Sequence, residues 1–535
     1  MIRPHRAPLV LLLSCIASNL HAQAPPLRDV IDAQIQKAWA RKKIVPAKPS
    51  QDGEFLRRVY LDLAGSVPTY DETVAFLASN DPAKRDKLLD VLLADPRFAL
   101  HQADVWDMIL FGRNPPGYDT RIRDGFQSWL RSRFEKNVPY DAWARELLKA
   151  EGDSIDNGAL YYVQYQNAPE DAIVAISQTF LGVQLQCARC HDHPYEQWKQ
   201  VEFYGMAAFL ARLEVVSLGK KGTQTLYTIG EHDAGDIRFT GPAKDAAPGK
   251  KGEPVGPKFL AGAALVEPAA PKAKDERRRF ASNKVPAKPK FSRKDKLAEW
   301  IASADNPYFA RAVANRLWGQ FMGRGIVHPV DNMSQSNTAS LPDLLDVLGR
   351  EMVAHKFDLK WFVKELVSSK TYQLSSAGTG EPMPELHRHA RSRPLSAEEL
   401  AEAWRITTGY AAVERASAKP PSKSRLRPLD GYLMQFFGSP NNGTGDFQGG
   451  LQEHLYLNNG PLSQMISAGK GSLAEFVGDP KVRAEVRVER LFVQTLHRKP
   501  TSAEAAKFVA FLDKKGQASD AVWALITSSE FRFNH

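Results

Sequence analysis

Apolar residues recur along this chain at helical spacing, and one long stretch of different character interrupts them. Leu56, Val59, Tyr60 and Leu63 share one helical face, and the pattern stops at Gly65 and Pro68. Thr69 or Asp71 is placed to cap a next helix carrying Val74, Phe76 and Leu77. Leu88, Leu89, Leu92 and Leu93 mark another, stopped by Asp95-Pro96, and Val105–Leu110 and Trp129–Phe134 continue the series. Ala172–Leu181 predicts a helix with Gly182 as its stop, and Phe203–Leu210 the next. Past the interruption, Ser340-Leu341-Pro342-Asp343 reads as a capped start. Leu341, Leu344, Leu345, Leu348 and Met352 follow on one face. Asp358 caps a helix with Trp361, Phe362 and Leu366. Ser396–Glu399 and Thr501–Glu504 have the capping-box spacing, and Phe508, Phe511 and Leu512 are expected to face inward from the latter. Gly438–Gly450 is expected to be loop.

The interruption runs over about 213–295. Val215-Val216, Thr225-Tyr227-Ile229 and Ile237–Phe239 alternate as short strands do. From Pro242 to Pro289 there are eight prolines among Lys, Ala and Gly, the composition of an extended linker. The predicted fold is therefore mainly α. A helical domain (27–212) and a second helical domain (296–535) flank a short β patch and a disordered basic linker (213–295).

Charge sharpens this division. The net charge is +10, but Lys244–Lys296 alone holds 15 Lys/Arg against 6 Asp/Glu, which leaves the remainder near neutral. Nucleic acid is not the partner such a distribution implies. The basic linker is free to touch an acidic surface, and a solvated linker is the simpler reading. Residues 1–22 read as a secretory signal: Arg3 and Arg6, an apolar run Leu9–Ala17, and Leu20-His21-Ala22 before the cut. Lipid anchoring at Cys15 is the rejected alternative, because Leu13 fits such a box poorly. No later run offers the roughly 18 apolar residues of a membrane span. A periplasmic or secreted location follows.

Cysteine usage brings in the chemistry. There are three cysteines in 535 residues, and Cys15 falls in the signal. The other two stand in Cys187-Ala188-Arg189-Cys190-His191, the C-x-x-C-H spacing of a c-type haem. Two thiols so spaced reach the two vinyl groups on one haem edge, and the adjacent imidazole falls under the iron. The reading is one covalent haem c on Cys187 and Cys190 with His191 as proximal iron ligand. One alternative is a zinc site from Cys187, Cys190, His191 and His193, although His191 and His193 are only two apart. The other is a disulfide or free dithiol. His193 is too near His191 to reach the opposite haem face, and it suits a second-shell or turn-capping role. The distal ligand is not legible. Met206, His101 and Met108 are packing or surface residues by default. His387 and His389, among Arg388, Arg391 and Arg393, read as a solvated basic face. No Walker loop, Gly-x-Ser-x-Gly or His-Glu-x-x-His is present.

The chain resembles secreted planctomycete cytochrome-c-like proteins that pair domain of unknown function 1549 with domain of unknown function 1553. The first is echoed by Arg57-Arg58-Val59-Tyr60-Leu61-Asp62-Leu63-Ala64-Gly65 with Val67-Pro68-Thr69, and by Phe180–Pro194 around the cysteines. The second is echoed by Asn306–Arg311, Asn315–Trp318, Gly323–Val327, Lys356–Lys360, Ser368–Tyr372 and Ser528–Phe531. The resemblance implies a cytochrome-like protein with no established activity. Many members carry a further haem module, which this sequence lacks, so one haem at most is expected. Two functions follow. One is a haem protein passing electrons or doing redox chemistry with a partner. The other is a non-enzymatic envelope or assembly protein, held by a structural zinc or disulfide at the same motif.

Overall fold

A computed structural model describes residues 25–112, 120–153, 168–222, 224–239, 252–269, 279–378, 383–410, 462–466, 469–514 and 517–535, with a few isolated positions between them. The signal segment and Gly438–Gly450 lie outside the described residues. The fold is mainly α. The first helical region comprises α1 (Leu27–Lys42), α2 (Asp52–Val59), α3 (Tyr70–Ala78), α4 (Lys84–Ala94), α5 (Pro96–Phe111), α6 (Thr120–Glu135), α7 (Tyr140–Lys149), α8 (Pro169–Ile176) and α9 (Gln200–Ala207). The second begins with α10 (Arg293–Ile301), α11 (Phe309–Met322), α12 (Pro342–Ala354) and α13 (Leu359–Ser368). It continues with α14 (Ala397–Thr408) and, among the described residues, six further α-helices out to Ser529–Arg532.

Local chemistry sets many of these boundaries. Thr69, Ser396 and Thr501 each make the reciprocal capping box with the glutamate three residues on. Asp358 caps α13 through the Trp361 N–H at 3.0 Å. α2 and α8 do not stop where their α-helical pattern ends. Each widens into a π-helical turn, Tyr60–Ala64 and Ser177–Leu181, and each turn closes on a left-handed glycine, Gly65 or Gly182.

The larger hydrophobic core draws on both helical regions, from Leu27 to Leu374. Phe309 of α11 stacks on Tyr140 of α7 at 4.9 Å, and the Tyr140 N–H donates to the Phe357 carbonyl at 3.0 Å. Each fully buried side chain of this size contributes about 1.5–3 kcal/mol. A smaller core gathers Leu61 and Val67 with residues from Leu395 to Phe531. Phe511, expected to face inward, is 40% exposed, and Val74 on the predicted helix after Thr69 is 41% exposed. Phe76 and Leu512 satisfy the cores beside them.

The β patch is an antiparallel hairpin, β1 (Leu213–Lys221) with β2 (Gln224–Glu231), bulged between Ser217 and Gly219, plus the two-residue pair Ile237–Arg238 with Pro254–Val255. The described parts of the Pro-rich stretch are fastened to their surroundings. Phe259 lies between Phe209 and Trp300 at 4.9 and 5.2 Å. Glu267 pairs with Arg293 at 2.6 Å and Arg212 at 3.1 Å. Phe280 stacks on His232 at 4.2 Å and fills the space where a Cβ on Gly230 would stand. Aromatic anchors spaced through a polar composition do this, and composition averages them away.

A buried polar seam joins the two cores. Arg393 pairs with Asp62 at 2.8 Å and with Glu399 at 2.7 Å. Asp62 also accepts from Tyr372 Oη at 2.7 Å and Asn534 Nδ2 at 2.8 Å. Arg58 donates to Glu54 and to the carbonyls of Tyr372, Leu374 and His535. The expected solvated basic face is thereby corrected at His387 and Arg393, whereas Arg391 is exposed as expected. His387 is buried, with Trp318 Nε1 donating to its Nε2 at 3.0 Å, and burial together with Arg324 pushes it down to about 4. Arg393 is committed to two carboxylates. Local sequence shows the charges; only the fold brings their partners.

Candidate functional site

The Cys-x-x-Cys-His segment sits where a helix stop hands over to a short turn. Gly182 ends the widened turn after α8 at φ 68°, a conformation that favours glycine. A Cβ there would also stand 3.2 Å from Ala312 Cβ and 3.4 Å from Met333 Cε, both from the second helical region. Gly182→Ala is expected to cost about 1–2 kcal/mol from the backbone alone, read as a lowered thermal midpoint. Residues Gln186–Arg189 then form one 3-10 turn. Ala188 is its buried anchor, and Cys187 and Cys190 flank it, both free thiols and both exposed.

His191 is exposed, and its Nδ1 lies 2.7 Å from the Asp192 carbonyl oxygen. A carbonyl only accepts, so Nδ1 carries the proton and Nε2 keeps the lone pair. His193 has the opposite arrangement. Its Nδ1 accepts the backbone N–H groups of Tyr195 and Glu196 at 3.3 and 3.1 Å, and its own N–H donates to the Trp198 carbonyl at 2.8 Å. His193 thus closes the loop after the motif, and its neutral ring carries the proton on Nε2. Asp192 accepts the Gln200 N–H at 2.9 Å, the start of α9, and Gln200 Nε2 donates to the Arg189 carbonyl at 3.0 Å. Arg189 pairs with Asp171 of α8 at 2.7 Å.

A segment from the second helical region runs beside this loop at both ends. The Met333 N–H donates to the Gly182 carbonyl at 2.7 Å, and Gln184 Nε2 donates to Asp331 at 3.3 Å. At the far end Glu196 accepts from the Gln335 N–H at 3.1 Å and from the Ser336 hydroxyl, and Gln335 bonds Gln197 at 2.8 Å. Burial would raise the Glu196 carboxyl, but bonds from Ser336, Ser334 and the Gln335 and Ser336 backbone outweigh it and hold the group below its ordinary value. Sequence reading missed this clamp, because its partners lie about 140 residues apart and no local pattern marks them.

The other candidates are placed elsewhere. Met206 is fully buried in α9. His101, on α5, lies 3.8 Å from Glu399 and belongs to the polar seam. Met108 is half-buried on α5. Among the described residues no three His, Cys, Asp or Glu side chains gather in a way that could hold a metal ion, and no helix is long and apolar enough to cross a membrane.

Comparison with known proteins places the chain. Residues 30–215 match the family PSCyt2, protein of unknown function DUF1549, and residues 293–430 match PSD1, protein of unknown function DUF1553. Together these cover more than half of the sequence, in the expected order, and the chain belongs to the proteins that pair these two domains. The Cys-x-x-Cys-His lies in the first, and the segment clamped to it lies in the second. No curated protein and no solved structure matches the chain.

Proposed function

We propose that this is an exported electron-transfer protein carrying one haem c, bound through Cys187 and Cys190 with His191 as the iron ligand. The observation that carries the reading is the state of the three donors. Both thiols are free and exposed, and the Nδ1–H bond from His191 to the Asp192 carbonyl leaves Nε2 as the donor nitrogen. Metal-bound histidines are oriented in this way. The residues present therefore fit the group. When bound, haem supplies reversible one-electron chemistry at its iron.

The protein's own part is positional. Ala188 anchors the turn between the two thiols. Asp192 and His193 tie the loop to α9 and to Trp198, and Glu196 clamps it to Gln335 and Ser336. Exposure of the thiol edge leaves that edge open to a partner. The name of the first family points the same way, toward cytochrome-like proteins. His193 is a poor fourth ligand for zinc, since two backbone N–H groups occupy its Nδ1 lone pair and its Nε2 holds a proton. The N-terminal signal supports a periplasmic or secreted setting.

Protein exported from a host with cytochrome c maturation machinery is expected to be red and to keep its haem after denaturation. Cys187→Ala with Cys190→Ala should abolish covalent attachment. His191→Ala should alter the iron spectrum or block maturation. A colourless protein with stoichiometric zinc would replace this reading with the metal site. One with neither would leave a disulfide or dithiol, and with it the envelope or assembly role, which thiol titration and co-purifying partners would then define.

A further inference from the structure

Trp198, the residue whose carbonyl closes the haem-motif loop, begins a line of aromatic rings through the larger core. Trp198 meets Tyr308 with ring centroids 6.3 Å apart. Tyr308 adjoins Phe309, which stacks on Tyr140 at 4.9 Å. Tyr140 meets Trp143 at 4.9 Å, and Trp143 meets Trp129 at 6.4 Å. Trp106 touches both Tyr140 and Trp143, at 5.3 and 5.1 Å.

Packing alone accounts for stacked rings, but not for the polar atoms on them. Trp106 Nε1, Trp143 Nε1 and Tyr140 Oη are all buried, and none has a hydrogen-bond partner among the described residues. Each such group costs about 1–3 kcal/mol, and three in mutual contact call for a reason. At the end of the line the chemistry changes. Trp129 Nε1 donates to Glu146 Oε1 at 2.9 Å, and Glu146 reaches solvent with its side chain 40% exposed. Arg133 lies over the Trp129 ring at 5.3 Å and pairs with the same carboxylate at 2.9 Å.

The geometry points to a one-electron relay from the haem motif to Trp129, with Glu146 as the proton acceptor at its end; this rests on the haem reading above. The interior groups can carry charge but cannot keep it. Tyr140 has no acceptor for its phenol proton, so it bridges without forming a stable radical. An oxidised Trp143 would be an unpaired cation in an apolar core, a costly state that passes the vacancy onward. At Trp129 the indole proton moves to Glu146. The ring is left neutral, as Arg133 above it also favours. With hydrogen peroxide as oxidant the step balances. Peroxide takes two electrons and two protons and leaves as two waters. A bound haem in its ferrous state would supply one electron and become ferric, and Trp129 would supply the other. The Trp129 proton goes to Glu146, and solvent supplies the two protons. Oxidising equivalents are thus led away from the thioether site to Trp129, itself only 4% exposed, whose partner Glu146 reaches solvent.

The test uses the full exported chain with covalent haem verified by mass, treated with hydrogen peroxide and a nitroso spin trap, then mapped by peptide mass spectrometry. The trap is expected on Trp129. Trp143→Phe should lose that adduct by breaking the line, and the exposed Glu146→Gln should lose it by removing the proton acceptor. The haem-free Cys187→Ala, Cys190→Ala protein should give none. An adduct confined to exposed Tyr195, or a Trp129 adduct undiminished in either Glu146→Gln or the haem-free protein, overturns the relay. If Trp143→Phe does not fold, the Glu146→Gln result decides. Absence of covalent haem, recorded before peroxide is added, overturns the haem reading and the relay with it.

Discussion

Arg393→Ala is expected to cost about 3–5 kcal/mol at pH 7, because it strands two buried carboxylates. Arg393 is the only arginine or lysine with a side-chain ion pair to Asp62 among the described residues, and it pairs with Glu399 as well. Both acids are almost fully buried, Asp62 at 5% and Glu399 at 2% exposure. The remaining Tyr372 and Asn534 bonds to Asp62 are neutral and do not replace the charge. The measurement is the urea midpoint followed by tryptophan fluorescence. A fall in midpoint with an unchanged slope is the expected form. An unchanged midpoint would mean that the seam is more hydrated than its burial implies.

The same triad makes stability depend on acid in a defined direction. Burial would raise the Glu399 carboxyl, but Arg393 overcomes it and holds the group at about 2, against an ordinary 4.5. A depressed carboxyl stabilises the fold above its unfolded value, and that stabilisation is lost as pH falls from about 4.5 toward 2. The loss approaches about 3 kcal/mol from Glu399. Asp62 works in the opposite sense and offsets part of it, since burial first, and also Glu399, leave its carboxyl raised despite Arg393. In Arg393→Ala both carboxyls should rise together. Relative to the parent, the variant should therefore gain stability as the pH falls from 7. Urea midpoints at pH 7, 5 and 3 for both proteins check the sign. Parallel curves would remove Arg393 as the cause.

These interactions also show where sequence reading stops. Thr69, Ser396, Thr501 and Asp358 act on residues three positions away, so their caps were legible. The strands at Val215-Val216 and Thr225–Ile229 were legible from alternation. The spacing of Cys187, Cys190 and His191 was legible too, and the donor role drawn from it belongs to the proposed function. Leu61 was not legible as a member of the smaller core. It stands two positions after Val59 and so faces away from the side that Leu56 and Val59 share, into the smaller core. His387 read as a surface histidine because Trp318, its partner, lies 69 positions earlier. The Glu196 clamp and the Asp62 seam escaped for the same reason. Their energy lies in pairs that only the tertiary fold defines.

Asp62 has one more implication, and it concerns time. The ribosome delivers residue 62 long before Asn534, its partner 472 positions later, and long before Arg393. Until those residues arrive, the turn Tyr60–Ala64 carries an acid that favours water over a closed interior. That turn is therefore without its charge partner while the chain is still growing. Cys187 and Cys190 emerge within that interval, before the late segments can seal the seam. Both thiols remain exposed once the seam has closed, so completion of the fold leaves them within reach of an enzyme.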